Sequence, residues 1–146
     1  MNIESQSASK KIKIKLDFKE SKYATGRRKK SIAKVWVKKG SGKIYVNGKL
    51  FNEYFSNDSH KMQITRPFEI LNQATEYDVK CSVKGGGHTG QAGAMVHGIS
   101  KALLMFDAEF KSTLKTENLT TRDSRSVERK KPGRRKARRS FQFSKR

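Results

Sequence analysis

Cysteine is nearly absent from this 146-residue chain, where Cys81 stands alone. A single thiol excludes an internal disulfide framework and any cysteine-only zinc site, and a reducing compartment is expected. Long apolar runs are missing too. With 34% hydrophobic residues and a mean hydropathy of −0.85, the chain has material for a modest core but none for a membrane-spanning helix. The first apolar stretch, Ile12 to Leu16, is broken by lysine at every second position. Neither a secretory signal nor an organellar presequence is therefore expected there. Acids are scarce: 13 Asp plus Glu stand against 34 Lys plus Arg, a net charge of +21. No Ser or Cys nucleophile has a histidine in a recognisable catalytic context. Cys81, His60, His88 and His97 show no CxxC or HxxxH spacing. No enzyme activity, cofactor or metal is expected.

What is present in excess is positive charge, and it is unevenly placed. Residues 1–20 hold 5 basic and 3 acidic groups, residues 21–43 hold 9 basic groups and no acid, residues 44–121 hold 8 of each, and residues 122–146 hold 12 basic and 2 acidic. A neutral middle between two basic segments predicts a globular body with charge at one edge and on a tail, the electrostatic footprint of a protein that binds a polyanion. The expected organisation is a flexible extension over 1–22, a body over 23–121 and an extended basic tail over 122–146. The tail's like charges oppose compaction until counter-charges replace their mutual repulsion.

Periodicity supplies the body's elements. Alternation predicts strands at Ser31–Lys38 and Ile44–Val46, with Asn47-Gly48 as a turn tolerant of positive φ. Leu50, Phe51, Tyr54 and Phe55 suggest a short helix. Arg66-Pro67 is expected to break the chain, with Pro67 opening another short helix that carries Phe68, Ile70 and Leu71. Tyr77–Lys84 is the clearest strand: Tyr77, Val79, Cys81 and Val83 face a core while Asp78, Lys80, Ser82 and Lys84 face away. Cys81 thus reads as a small buried hydrophobe. A glycine-rich loop, Gly85 to Gly90, then opens a helix whose apolar positions are Ala92, Met95, Val96, Ile99, Ala102, Leu103 and Phe106. Its opposite face, Gln91, Ala94, Gly98 and Lys101, is small or polar enough for another backbone to approach. A last helical stretch, with Phe110 and Leu114, runs from Asp107 to about Lys115.

A glycine-rich loop between a strand and a helix can bind an anion through backbone N–H groups and the helix N-terminus. A mononucleotide cradle, a nucleic-acid phosphate contact and a purely structural turn compete for it. The absence of GxxxxGK[ST], and of GxGxxG with a distant acid, favours nucleic-acid contact. Arginine binds phosphate bidentately and stacks on bases, and Phe141 and Phe143 in the tail offer rings for stacking or for packing on protein.

Four motifs carry a resemblance: Thr25-Gly26-Arg27-Arg28-Lys29; Lys84-Gly85-Gly86-Gly87 with Gly90-Gln91-Ala92-Gly93-Ala94 and His97-Gly98-Ile99; Arg122-Asp123-Ser124-Arg125 with Val127-Glu128-Arg129-Lys130-Lys131; and Gln142-Phe143-Ser144-Lys145-Arg146. From Tyr23 to Arg146 the chain closely resembles the bacterial-type small-subunit ribosomal protein nine family, and its ending looks most like alphaproteobacterial or mitochondrial members. The resemblance implies an α+β two-layer sandwich with a mixed, mostly antiparallel sheet, helices on one face, a left-handed βαβ crossover and a long basic tail. It also implies a structural role in the head of the small subunit, with small-subunit rRNA, peptidyl-site tRNA and neighbouring head proteins as partners and no membrane. The expected location is a ribosome of bacterial cytoplasm, with the mitochondrial matrix second. Expected rRNA contacts are Arg27, Arg28, Lys29 and Lys30; Lys84, Gly85, Gly86, Gly87, Thr89, Gly90 and Gln91; His97 and Lys101; and Arg122, Arg125, Arg129, Lys130, Lys131, Arg134, Arg135, Lys136, Arg138 and Arg139. Ser144, Lys145 and Arg146 are expected at tRNA. Val96 stands where the family carries a basic residue, so no RNA contact is expected from it. A free basic nucleic-acid-binding protein and a small-molecule phosphotransferase are the alternatives.

Overall fold

Buried positions alternate along the long strands Ser31–Lys39 and, from Val79 on, Tyr77–Lys84, and that alternation builds the molecule. The computed structural model describes residues 19–145; the expected extension lies, over residues 1–18, outside the described residues. Strands β1 (Lys22–Arg28) and β2 (Ser31–Lys39) form an antiparallel hairpin whose tip holds Lys29 at φ 51°. β3 (Ile44–Val46) and β4 (Lys49–Leu50) form a second hairpin, with Asn47 at φ 49° and Gly48 at φ 83° meeting the positive-φ demand of a tight turn. Helices α1 (Phe51–Tyr54) and α2 (Asp58–Ile70) precede β5 (Tyr77–Lys84), and α3 (His88–Leu103) and α4 (Phe110–Thr116) follow it.

The sheet order is β1-β2-β5-β3-β4. Only the β3–β5 pair is parallel; β1–β2, β2–β5 and β3–β4 are antiparallel. Parallel neighbours need a crossover, and α1 and α2 lie within it. Ala24, Ala33, Val35, Val37, Ile44, Val46, Val79, Cys81 and Val83 face the helices and are buried. The fold is thus a two-layer α+β sandwich with helices on one face of a mixed sheet. Burial pushes the Cys81 thiol up in pKa, keeping it protonated and inert. Among the described residues no helix is long and apolar enough to cross a membrane.

Helix α3 is the centre of the packing. Met95, Ile99 and Leu103 are fully buried, each contributing about 1.5–3 kcal/mol through removal from water. Its small face lies against β1: a Cβ added to Gly26 would overlap the Ala94 carbonyl oxygen and the Gly98 nitrogen. The backbone that approaches this helix is therefore the chain's own first strand. Lys101 reaches the same strand, donating from Nζ to the Thr25 carbonyl oxygen at 3.3 Å.

One sequence expectation changes, and a strand forms where none was expected. Arg66-Pro67 does not break the chain, because α2 runs continuously from Asp58 through buried Pro67 to Ile70. Pro67 sits in the last turn, where the ring removes a single amide bond and the helix is about to end. Asn57 starts the helix, its side chain accepting from the Ser59 amide at 2.9 Å. Strand β1 carries no strong apolar signal, since its inward positions are only Ala24 and Gly26.

Candidate nucleic-acid interface

The β1–β2 hairpin ends beside the N-terminal half of α3, and the chain after α4 passes the same place. Together they enclose a cleft of about 450 Å³. β1 contributes Arg27 and Arg28, α2 contributes Gln63 and Arg66, and α3 contributes Thr89, Gly93, Val96 and His97. The segment after α4 adds Asn118, Leu119, Thr121, Arg122 and Asp123. The four α3 residues follow the i, i+4, i+7, i+8 spacing of one helical stripe. Four guanidiniums thus converge on one groove. Arg28 pairs with Asp123 and Arg66 with Glu117. Among the described residues Arg27 and Arg122 have no carboxylate partner, which leaves two whole fork-shaped donors for an anion.

Asp123 fixes where the tail begins. It pairs with Arg28 on β1 and also accepts from Arg125, through Nη2 at 2.8 Å and the backbone amide at 2.9 Å. From residue 122 to 145 the chain has no helix or strand and is almost wholly exposed. Local bonds shape it: Glu128 joins Lys131 and Arg138, and the Arg135 amide donates to the Arg139 carbonyl at 2.8 Å. The hydrogen bonds from Lys131 and then Arg138 hold the Glu128 carboxyl below its usual pKa. Arg129, Lys130, Arg134, Lys136, Ser144 and Lys145 are exposed; Arg146 lies outside the described residues.

The glycine-rich loop divides into rigid and open parts. Gly85 and Gly86 adopt φ 71° and 60°, and side chains there would meet the Lys30 carbonyl and the Ser31 hydroxyl. The Gly85 carbonyl accepts from Ser31 Oγ at 3.1 Å and Gln91 Nε2 at 3.2 Å, while Gln91 Oε1 accepts from the Tyr54 hydroxyl at 2.9 Å. Gln91 therefore braces the loop with both ends of its amide, and buried Gly90 packs on Ser31. Gly87, Lys84 and Thr89 are exposed, and nothing lies within 4 Å of a Cβ placed on Gly87. The first helical bond runs from the Gln91 amide to the Gly87 carbonyl. The amides of the turn before it consequently have no carbonyl partner within the helix. His88 stacks on Tyr54 at 5.4 Å, and His60 Nε2 lies 3.2 Å from Thr89 Oγ1.

His97 works as a pin. Its Nδ1 accepts from the Arg27 amide at 3.3 Å, and a second backbone hydrogen bond joins it to Thr120. Burial, then the Lys101 charge, lowers its pKa below 6.5, so a neutral imidazole ties β1, α3 and the root of the tail together.

Of the residues expected from sequence, the structure gathers Arg27, Arg28, Thr89, His97 and Arg122 in the groove. It places Lys29 and Lys30 on the adjoining hairpin tip and Lys84 on the opposite sheet face, and it gives Gln91 and Lys101 bracing roles. Gln63, Arg66 and Asn118 were not expected. Their signal was faint: Gln63 and Arg66 are three apart on a helix that Pro67 had concealed. Val96, from which no RNA contact is expected, lines the groove as an uncharged side chain. The family described as Ribosomal protein S9/S16 matches residues 26–146. The chain belongs to that family, and with it to the rRNA-binding proteins of the small ribosomal subunit.

Proposed function

We propose that this chain is a structural constituent of the small-subunit head, with its body holding rRNA at the arginine groove and its tail threading into the RNA. The observation that carries this reading is the convergence of Arg27, Arg28, Arg66 and Arg122 where Asp123 anchors the tail. An RNA strand seated there meets paired and unpaired guanidiniums, the exposed Gly87–Thr89 corner, and then the tail's closely spaced cations. The interior of the body supports this surface and makes no contact itself. At the far end, Ser144, Lys145 and Arg146 reach peptidyl-site tRNA, where charge-assisted contacts to phosphate act beyond the reach of the folded body.

The test is reconstitution of small subunits with an Arg27→Glu, Arg122→Glu double variant whose fold is verified by circular dichroism. Incorporation should fall at least tenfold, because two phosphate contacts are replaced by repulsions. Normal incorporation of the folded variant would move the RNA contact away from this groove.

A further inference from the structure

The sheet has a second face, turned away from the helices, that meets the groove at Arg27. One cross-strand row spans it: Tyr23 opposes Trp36, Trp36 opposes Lys80, Lys80 opposes Tyr45, and Tyr45 opposes Leu50. The Tyr23 and Trp36 rings are 5.2 Å apart, and Lys80 Nζ lies 5.9 Å from the centre of the Trp36 ring. Tyr23 and Leu50 are each 43% exposed. Toward the hairpin tip follow a row of Thr25, Lys34 and Ser82 and a row of Arg27, Ile32 and Lys84. The carboxylate on these strands, Asp78, is turned into the loop after β2, accepting from the Ser41 and Lys43 amides at 2.9 Å each.

We propose that this face binds unpaired RNA bases, which stack on Tyr23, Trp36 and Tyr45 while their phosphates meet Lys34, Lys84 and Arg27. Charge complementarity selects a polyanion, and the rings select one with flat, apolar faces, since lysines alone would satisfy an acidic protein surface. Arg27 sits at the corner shared by face and groove, so a strand leaving the groove passes directly onto the sheet. The inference rests on the groove holding RNA and extends that contact to a second surface.

Trp36 is the sole tryptophan of the chain and reports on this face alone. The full chain is titrated with end-labelled octa-adenylate and with an abasic octamer of the same charge, with binding read by label anisotropy and stacking by Trp36 emission. Octa-adenylate should quench Trp36, whereas the abasic strand should bind without quenching it. Tyr23→Ala and Tyr45→Ala, each checked by circular dichroism, should weaken octa-adenylate binding by about fivefold or more, the usual scale of one lost base stack. An Arg66→Glu, Arg122→Glu variant should bind more weakly yet quench Trp36 equally at saturation. Loss-free binding by that variant would count against the groove and leave the quenching result to decide the face. Octa-adenylate bound with unchanged Trp36 emission, or quenching by poly-glutamate together with unaltered binding by the tyrosine variants, would overturn the proposal.

Discussion

Residues 44–121 and residues 122–146 differ in what holds them. The first stretch carries 8 basic and 8 acidic groups and supplies the interior of α3 and β5; the second carries 12 basic and 2 acidic groups and has no helix or strand among its described residues. Packing fixes the one, through contacts so close that a methyl group matters at Gly98. Charge fixes the other, through pairs such as Glu128–Arg138 that an RNA phosphate can replace. The lesson is that the tail serves binding without serving the fold, whereas the body carries both the fold and the groove. Removing the tail should leave stability nearly untouched.

Gly26→Val presents the sharpest challenge to that separation. The added side chain strikes backbone in α3, which cannot shift without moving the helix, so a loss of about 3 kcal/mol or more is expected from overpacking. Denaturant unfolding measures it, and removal of residues 122–146 should change the same midpoint very little. Within the loop, Gly87→Val has open space around its side chain. It should keep the fold and weaken rRNA binding about tenfold by blocking the approach of phosphate to the α3 amides, whereas Gly86→Val should first cost stability through its positive φ. Binding titrations beside thermal melts of both variants distinguish the two roles.

At the end of the tail, removal of Lys145 and Arg146 should weaken peptidyl-site tRNA binding about tenfold or less. Solvent screening keeps each contact near the low end of about 1–3 kcal/mol, and subunit incorporation should be normal. Filter binding on purified subunits tests this, and unchanged tRNA affinity would reject a role for the terminus.

The smallest effect belongs to His97. Its folded pKa is lowered below 6.5, chiefly by burial, so the unfolded chain takes up the proton more readily. Stability should therefore fall as pH drops below about 6.5, and this contribution should stop falling below the folded pKa. The denaturant midpoint between pH 8 and 5 measures the trend, and His97→Gln should flatten it. At Asp78, burial raises the pKa, but hydrogen bonds from Lys43 and Ser41 outweigh it and hold the group below the usual 3.8. Its stabilising contribution is consequently lost only at lower pH, outside that window.

The strand Tyr77–Lys84 and the hairpin turn at Asn47-Gly48 were legible in sequence because alternation and positive-φ residues are local signals. The first strand was not, since its inward residues are an alanine and a glycine whose value lies in how closely α3 can approach. The continuous α2 was hidden by Pro67, a helix breaker made harmless by its place in the last turn. For the interface, the cations were plain in the sequence while their grouping was not. Nothing local tells that Arg66 meets Glu117, or that Asp123 returns to Arg28, because both contacts depend on the fold. Gln91, expected at RNA, instead spends its amide on Tyr54 and Gly85.

The separation itself is measured most directly by the salt dependence of rRNA affinity for the full chain and for a chain ending at Thr121, with both folds checked by circular dichroism. Each phosphate contact adds roughly 0.7–0.9 to the negative slope of log affinity against log salt. The truncated protein should be equally stable, with a slope shallower by several such contacts. Equal slopes, or a truncated body that no longer folds, would contradict that separation.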